Sequence, residues 1–75
     1  MVTYCALKES FEDLILGRYC SFGIAAYIEE NNVRKRIIYI PDVFTDDNRA
    51  AILVNKCNIL SLSPEHLLDV IYDSL

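Results

Sequence analysis

The side chains that could carry out catalysis are one histidine, His66, and three cysteines, Cys5, Cys20 and Cys57. A nucleophilic thiol needs an imidazole within hydrogen-bonding distance, and Cys57 precedes His66 by nine residues, across a predicted turn between two helices. The surrounding sequence supplies no orienting group and no oxyanion-hole motif. We therefore expect His66 to be structural or exposed to solvent, and we expect the protein not to be an enzyme.

The spacing of the other polar residues gives no metal or cofactor site. Zinc sites need clustered Cys or His ligands, and the chain has no Cys-x-x-Cys pair. Asp42, Asp46 and Asp47 lack the alternating positions, the glycine and the terminal Glu of a calcium-binding loop, so we assign them to helix capping. The only glycines, Gly17 and Gly23, cannot form a phosphate-binding loop. We expect no metal and no cofactor, and we identify no small-molecule substrate.

Charge and length narrow the functional classes further. The 75 residues carry seven Lys and Arg against eleven Asp and Glu, and the one basic cluster is Arg34-Lys35-Arg36. Nucleic-acid binding is disfavoured, because its non-specific affinity comes from basic residues on phosphates. We find no membrane span and no secretory signal, and an odd number of cysteines cannot all pair in disulfides. These features predict a single domain, residues 1–75, that is cytoplasmic and makes no membrane contact.

Alternation of apolar and polar residues predicts three β-strands, at residues 2–7, 19–29 and 33–40. Asn31 and Asn32 tolerate positive φ angles, so they predict a tight hairpin turn between the second and third strands. Pro41 has no N–H to donate and is expected to end the third strand. Residues 8–18 are ambiguous between a loop, a strand extension and a helical turn.

Two helices are predicted in the C-terminal half. Thr45 can cap the first, whose apolar residues recur at three- and four-residue spacing over residues 46–57. Ser63 and Pro64 mark the start of the second, which also carries an acidic stripe of Glu65, Asp69 and Asp73. The predicted fold is α+β, a small antiparallel three-stranded sheet in β-β-β-α-α order, packed on one face by the two C-terminal helices.

The predicted hairpin leaves one sheet face without a cover. A two-residue turn pairs Glu29 with Arg34 and Tyr27 with Arg36, which predicts an ion pair and a cation–π contact, each worth under ~1 kcal/mol at a surface. The face expected beneath the helices carries Phe22, Ile24, Ala26, Ile28, Ile37 and Tyr39. The opposite face carries Gly23, Ala25, Tyr27, Arg34, Arg36, Ile38 and Ile40.

Two interpretations of this second face remain open. A sheet with one covered face should alternate apolar and polar residues, whereas Ile37-Ile38-Tyr39-Ile40 presents apolar side chains to both faces. Either the N-terminal loop, with Phe11, Leu14 and Leu16, folds over the face, or another chain covers it. The second interpretation predicts a homodimer or protein-partner interface formed by Tyr27, Arg34, Arg36, Ile38 and Ile40.

These features favour a small cytoplasmic protein-binding or regulatory module without catalytic activity, and we expect it to be a homodimer. The alternative is a nucleic-acid-associated regulator. In that case Arg34, Lys35 and Arg36 would bind phosphates, while Tyr27 and Tyr39 would stack on bases.

Three segments carry a resemblance: Phe22-Gly23-Ile24, then Leu53-Val54 with Cys57-Asn58, and finally residues 62–73, which include Ser63-Pro64-Glu65-His66-Leu67. Together they resemble a family of small uncharacterised bacterial proteins. An aromatic-Gly-Ile strand and a Ser-Pro-x-His-Leu-x-Asp-Val-Ile closing helix recur in that family. The resemblance covers residues 19–75, implies a bacterial origin and supports three strands followed by two helices. It transfers no functional residue.

Overall fold

The structure, a computed structural model, describes all of residues 1–75. Three antiparallel strands form one sheet in the order β1-β2-β3, and two helices follow. The elements are β1 Val2–Asp13, β2 Gly17–Glu30, β3 Val33–Phe44, α1 Asp47–Ile59 and α2 Leu67–Ser74, the last preceded by a 3-10 turn at Pro64–His66. The predicted α+β class and the β-β-β-α-α order are confirmed. Neither helix has the length and apolar character needed to cross a membrane.

Strands β1 and β2 are longer than the sequence predicts. The ambiguous residues 8–18 are strand on both sides of a turn at Leu14-Ile15-Leu16, and residues 9–20 form what we call the hairpin arm. Asp13 Oδ1 accepts hydrogen bonds from the N–H groups of Ile15 and Leu16 at 2.8 and 2.9 Å. Those bonds hold the pKa of Asp13 below its usual value. Gly17 then adopts a φ of 78°, which its missing Cβ permits.

The β2–β3 hairpin begins as predicted and then changes register. Asn31 and Asn32 have φ angles of 52° and 64°, which confirms the tight turn. The predicted pairing holds as far as Arg36 opposite Tyr27, but Ala26 then pairs with Ile38 instead of Ile37. Ile37 is therefore the extra residue of a β-bulge, and every following residue of β3 changes face.

Because of the bulge, three residues of β3 lie on the opposite face of the sheet from the one predicted. Ile38 and Ile40 lie on the helix-covered face and pack against the core, whereas Tyr39 lies on the other face beside Ala25. The prediction that Ile38 and Ile40 belong to a partner interface on the second face is wrong, because the extra residue of the bulge shifts the alternation of side chains by one position. The strand also continues through Pro41, which is acceptable because β3 is an edge strand.

Deletion of one isoleucine from Ile37-Ile38 should be tolerated. Either deletion gives the same sequence, removes the bulge and leaves an isoleucine opposite Ala26, with Tyr39 still on its present face. We expect the free energy of unfolding, measured by urea denaturation, to fall by about 1 kcal/mol or less. Deletion of Ala25 from the central strand is the control and should cost about 3 kcal/mol or more, because β1 and β2 pair without a bulge and the residues on one side of the deletion must change face. Equal losses in the two variants would contradict the bulge.

The core lies between the helices and one face of the sheet, and its buried members are Tyr4, Ile24, Ala26, Phe44, Ala50, Leu53, Cys57, Leu67 and Ile71. Tyr4 anchors β1 to the segment after α1, because its hydroxyl donates to the carbonyl of Leu62 at 2.6 Å. Helix α1 is capped by Asp46 and not by the predicted Thr45, since Asp46 Oδ1 accepts from the N–H of Asn48 at 2.9 Å.

Candidate protein-binding surface

The sheet face that points away from the helices, which we call the open face, is the candidate binding surface. Both helices contribute to the core on the other face. The pairing of the strands, with the bulge at Ile37, assigns to the open face Thr3, Cys5, Leu7, Glu9, Phe11, Tyr19, Ser21, Gly23, Ala25, Tyr27, Glu29, Arg34, Arg36 and Tyr39. Of the five predicted interface residues, Tyr27, Arg34 and Arg36 are brought together here, and Ile38 and Ile40 are not.

The N-terminal segment does not fold over the open face. Leu14 and Leu16 lie at the tip of the hairpin arm with fully and largely exposed side chains. Phe11 belongs to the face itself and stacks on Tyr19, with ring centroids 5.5 Å apart. The interpretation that residues 8–18 cover the open face is therefore wrong, because these residues extend the sheet. The interpretation that another chain covers the open face stays a prediction.

Two arginines lie on two tyrosine rings at the end of the open face nearest the β2–β3 turn. Arg34 Cζ is 4.2 Å from the ring centroid of Tyr27, and Arg36 Cζ is 5.0 Å from that of Tyr39. The predicted contact between Tyr27 and Arg36 is replaced, because the bulge brings Tyr39 to the same side as Arg36. Exposed contacts of this kind contribute about 0.5–1 kcal/mol each, so they mainly orient the guanidinium groups.

Neither arginine is paired with a carboxylate. The predicted ion pair between Glu29 and Arg34 does not form, and Arg18 pairs with Glu12 at 2.7 Å. A guanidinium stacked on a ring keeps its edge N–H groups available, and Arg34 uses one of them on Cys5 Sγ at 3.4 Å. The open face thus presents two cationic groups with unused donors.

Lys35, the middle residue of the basic cluster, lies on the other face. It pairs with Ile28, a residue of the helix-covered side of β2. The three adjacent basic residues therefore do not act as one patch, because successive side chains of a strand point to opposite faces.

The centre of the open face is flat. A Cβ on Gly23 would lie 2.6 Å from Tyr39 Cε1 and 2.8 Å from the carbonyl oxygen of Ile40, so the Tyr39 ring lies directly over the glycine. Ala25 beside it is fully buried, and the Tyr39 hydroxyl is buried without a hydrogen-bond partner. A glycine inside an apolar strand is the sequence signal for such a close approach.

The end of the open face nearest the hairpin arm is acidic. The Tyr19 hydroxyl donates to Asp42 Oδ2 at 2.7 Å, and this bond raises the pKa of Tyr19. Glu9 lies on the same face at the level of Ser21. Asp42 does not cap a helix as the sequence suggests. It has a φ of 55° in the irregular part of β3, which an aspartate tolerates better than most residues.

The surroundings of Cys57 and His66 do not suit the two residues to act as a catalytic pair. Cys57 is 1% exposed in the core, and burial raises the pKa of its thiol. His66 is exposed, with Nε2 3.7 Å from Glu65 Oε1. A buried thiol with a raised pKa is a poor nucleophile. No three His, Cys, Asp or Glu side chains come together as metal ligands.

Comparisons of the chain with protein-family models, with curated proteins and with solved structures found no match. The resemblance to small bacterial proteins therefore stays a prediction.

Proposed function

We propose that the protein is a small cytoplasmic protein-binding module without catalytic activity, and that it works as a homodimer whose copies meet through the open face. The observation that supports this proposal is the composition of that face. Its centre is formed by half-buried aromatic and apolar residues, and Arg34 and Arg36 lie unpaired at one end. Tyrosine and arginine are the residue types that most often dominate binding energy at protein interfaces.

The size of the open face suits a weak dimer. Three strands about 4.8 Å apart, over about ten residues of ~3.3 Å rise each, give a flat area of roughly 500 Å² per copy. The roughly 1,000 Å² buried in total is the lower limit for a specific interface. We therefore expect a Kd in the micromolar range.

Two further observations support the cytoplasmic, non-catalytic part of the proposal. All three thiols are free, which is typical of proteins in a reducing compartment. Cys57, the thiol nearest in sequence to the histidine, is buried with a raised pKa and is unsuited to nucleophilic attack.

Reversing the charge of both arginines should weaken the dimer. In the double variant Arg34→Glu, Arg36→Glu, carboxylates replace the cations on the tyrosine rings at both symmetry-related ends of the interface. We expect the Kd to rise at least about thirtyfold, which corresponds to about 2 kcal/mol shared over four contacts. Sedimentation velocity between about 1 and 200 μM covers the expected range of Kd.

Lys35→Glu is the control, because it reverses one charge on the same strand, half the change of the double variant, but on the helix-covered face. Its dimer should match the wild type. A wild-type protein that stays monomeric throughout the concentration range would contradict the proposal. An equal effect of Lys35→Glu would show that net charge, and not the open face, governs association.

The alternative function, nucleic-acid binding, has one observation in its favour: Arg34 and Arg36 lie beside Tyr27 and Tyr39 on one face, an arrangement on which bases can stack. The net charge of −4 and the position of Lys35 on the other face oppose it. Fluorescence anisotropy with a labelled single-stranded oligonucleotide at low salt tests it. Binding that Arg34→Glu with Arg36→Glu removes would support it, and no binding at low salt would end it.

A further inference from the structure

Charge divides the open face into two ends. Arg34 and Arg36 lie beside the β2–β3 turn, where Glu29 forms an ion pair with neither of them. Asp42 and Glu9 lie toward the hairpin arm. Two copies stacked in the same direction would bring like charges together. The opposite alignment brings each basic end onto an acidic end, which is the electrostatic complementarity that interfaces use to fix orientation.

The positions of these charged residues along the strands determine where a two-fold symmetry axis would cross the sheet. Arg34 and Arg36 pair with Glu29 and Tyr27 of β2. Asp42 lies between Ile40 and Phe44, which pair with Ile24 and Phe22, and its carboxylate accepts from the Tyr19 hydroxyl on the side of the hairpin arm. The midpoint between the basic and the acidic groups is therefore close to the level of Ile24. The side chain of Ile24 lies in the core, and its neighbours Gly23 and Ala25 form the flat centre of the open face. A two-fold axis that crosses the strands at this level reverses the strand direction and leaves β3 over β3 of the partner copy.

We propose that two copies stack open face to open face in antiparallel alignment, with Arg34 and Arg36 of each copy against Asp42 of the other. This inference rests on the homodimer proposed above and specifies which groups of the second copy the arginines bind. Each guanidinium, held flat on a tyrosine ring, directs its edge N–H groups toward a carboxylate that Tyr19 positions. Because the two-fold axis makes both ends of the interface identical, the assembly stops at a dimer.

The distance between hairpin tips in the dimer tests the alignment. Ile15→Cys carries a spin label at the exposed tip, in a Cys5→Ala, Cys20→Ser background first shown to keep the wild-type Kd. Ile15 lies nine residues from the level of the axis. Double electron–electron resonance should therefore give a separation of about 50–60 Å, whereas a parallel dimer would give about 20 Å or less.

A charge exchange tests the pairing itself. The variant Arg34→Glu, Arg36→Glu is acidic at both ends, and Asp42→Lys is basic at both ends. Each variant alone should dimerise at least about thirtyfold more weakly, and an equal mixture should form a heterodimer within about fivefold of the wild-type Kd. Asp42→Asn is a milder variant that keeps the left-handed φ and an acceptor for Tyr19. It should weaken the wild-type dimer about threefold to tenfold.

The outcomes separate this inference from the proposed function. A dimer whose tips are about 20 Å apart or less, a mixture of charge variants that does not associate, or an unchanged Kd in Asp42→Asn overturns the antiparallel pairing and leaves the open-face dimer standing. A monomeric wild type overturns the proposed function itself.

Discussion

Replacing Gly23 with alanine should lower the free energy of unfolding by about 3 kcal/mol, the upper end of the range for overpacking. The new Cβ would lie 2.6 Å from Tyr39 Cε1 and 2.8 Å from the carbonyl oxygen of Ile40, so the ring and the neighbouring strand must both move. A chain of this length has roughly 4–11 kcal/mol of stability in total, so the loss is large. Urea denaturation followed by circular dichroism measures it.

A second consequence connects this glycine to the interface. Displacement of Tyr39 removes the ring on which Arg36 rests, so Gly23→Ala should also weaken the dimer at concentrations where it remains folded. In a Tyr39→Ala background, the same substitution should cost less than in the wild type, because only the backbone contact remains. Gly17→Ala is the control. A Cβ added at Gly17 has no atom within 4 Å, so this variant should lose only about 1 kcal/mol of unfolding free energy, for the positive φ. No loss at Gly23 would contradict the close approach of Tyr39.

Replacing Asn58 with alanine should cost about 2 kcal/mol, the second large effect. Asn58 Oδ1 accepts from the N–H of Tyr4 at 2.8 Å, and Asn58 Nδ2 donates to the carbonyl of Tyr4 at 3.0 Å. The side chain thus acts as a strand partner for the free edge of β1, and its removal leaves two partly buried backbone groups without partners.

The control for this prediction is Asn55→Ala, an exposed position on the same helix, which should change the free energy of unfolding by less than about 0.5 kcal/mol. Asn58→Asp keeps the acceptor and loses the donor, so its loss of stability should be intermediate. Equal stabilities of the two alanine variants would contradict the role of Asn58 at the strand edge.

The element order was predictable from local chemistry, but the extent of the strands was not. Asn31-Asn32 and Ser63-Pro64 are strong local signals, and the structure has a hairpin turn and a helical start at these places. Residues 8–18 lack such a signal, because no helix covers the hairpin arm and its strands have no buried face to enforce alternation. The arm is instead defined by long-range pairing of β1 with β2.

The bulge is the feature that sequence could not reveal. A one-residue slip at this position exchanges Ile37 for Ile38, and two identical side chains give the hydrophobic pattern no means of distinguishing the registers. Tyr27, Arg34 and Arg36 precede the bulge and are placed correctly from the sequence. Tyr39 and Asp42 follow it, so the second cation–π contact and the acidic end of the open face were missed.

The most direct test of the open face as the dimer contact is an isotope-filtered nuclear Overhauser experiment on an equal mixture of labelled and unlabelled protein. We expect contacts between copies from the rings of Tyr27 and Tyr39, and none from Leu68 and Tyr72, which are exposed on the outer surface of α2. Contacts between copies that arise from Leu68 and Tyr72, with none from Tyr27 or Tyr39, would contradict the open-face dimer.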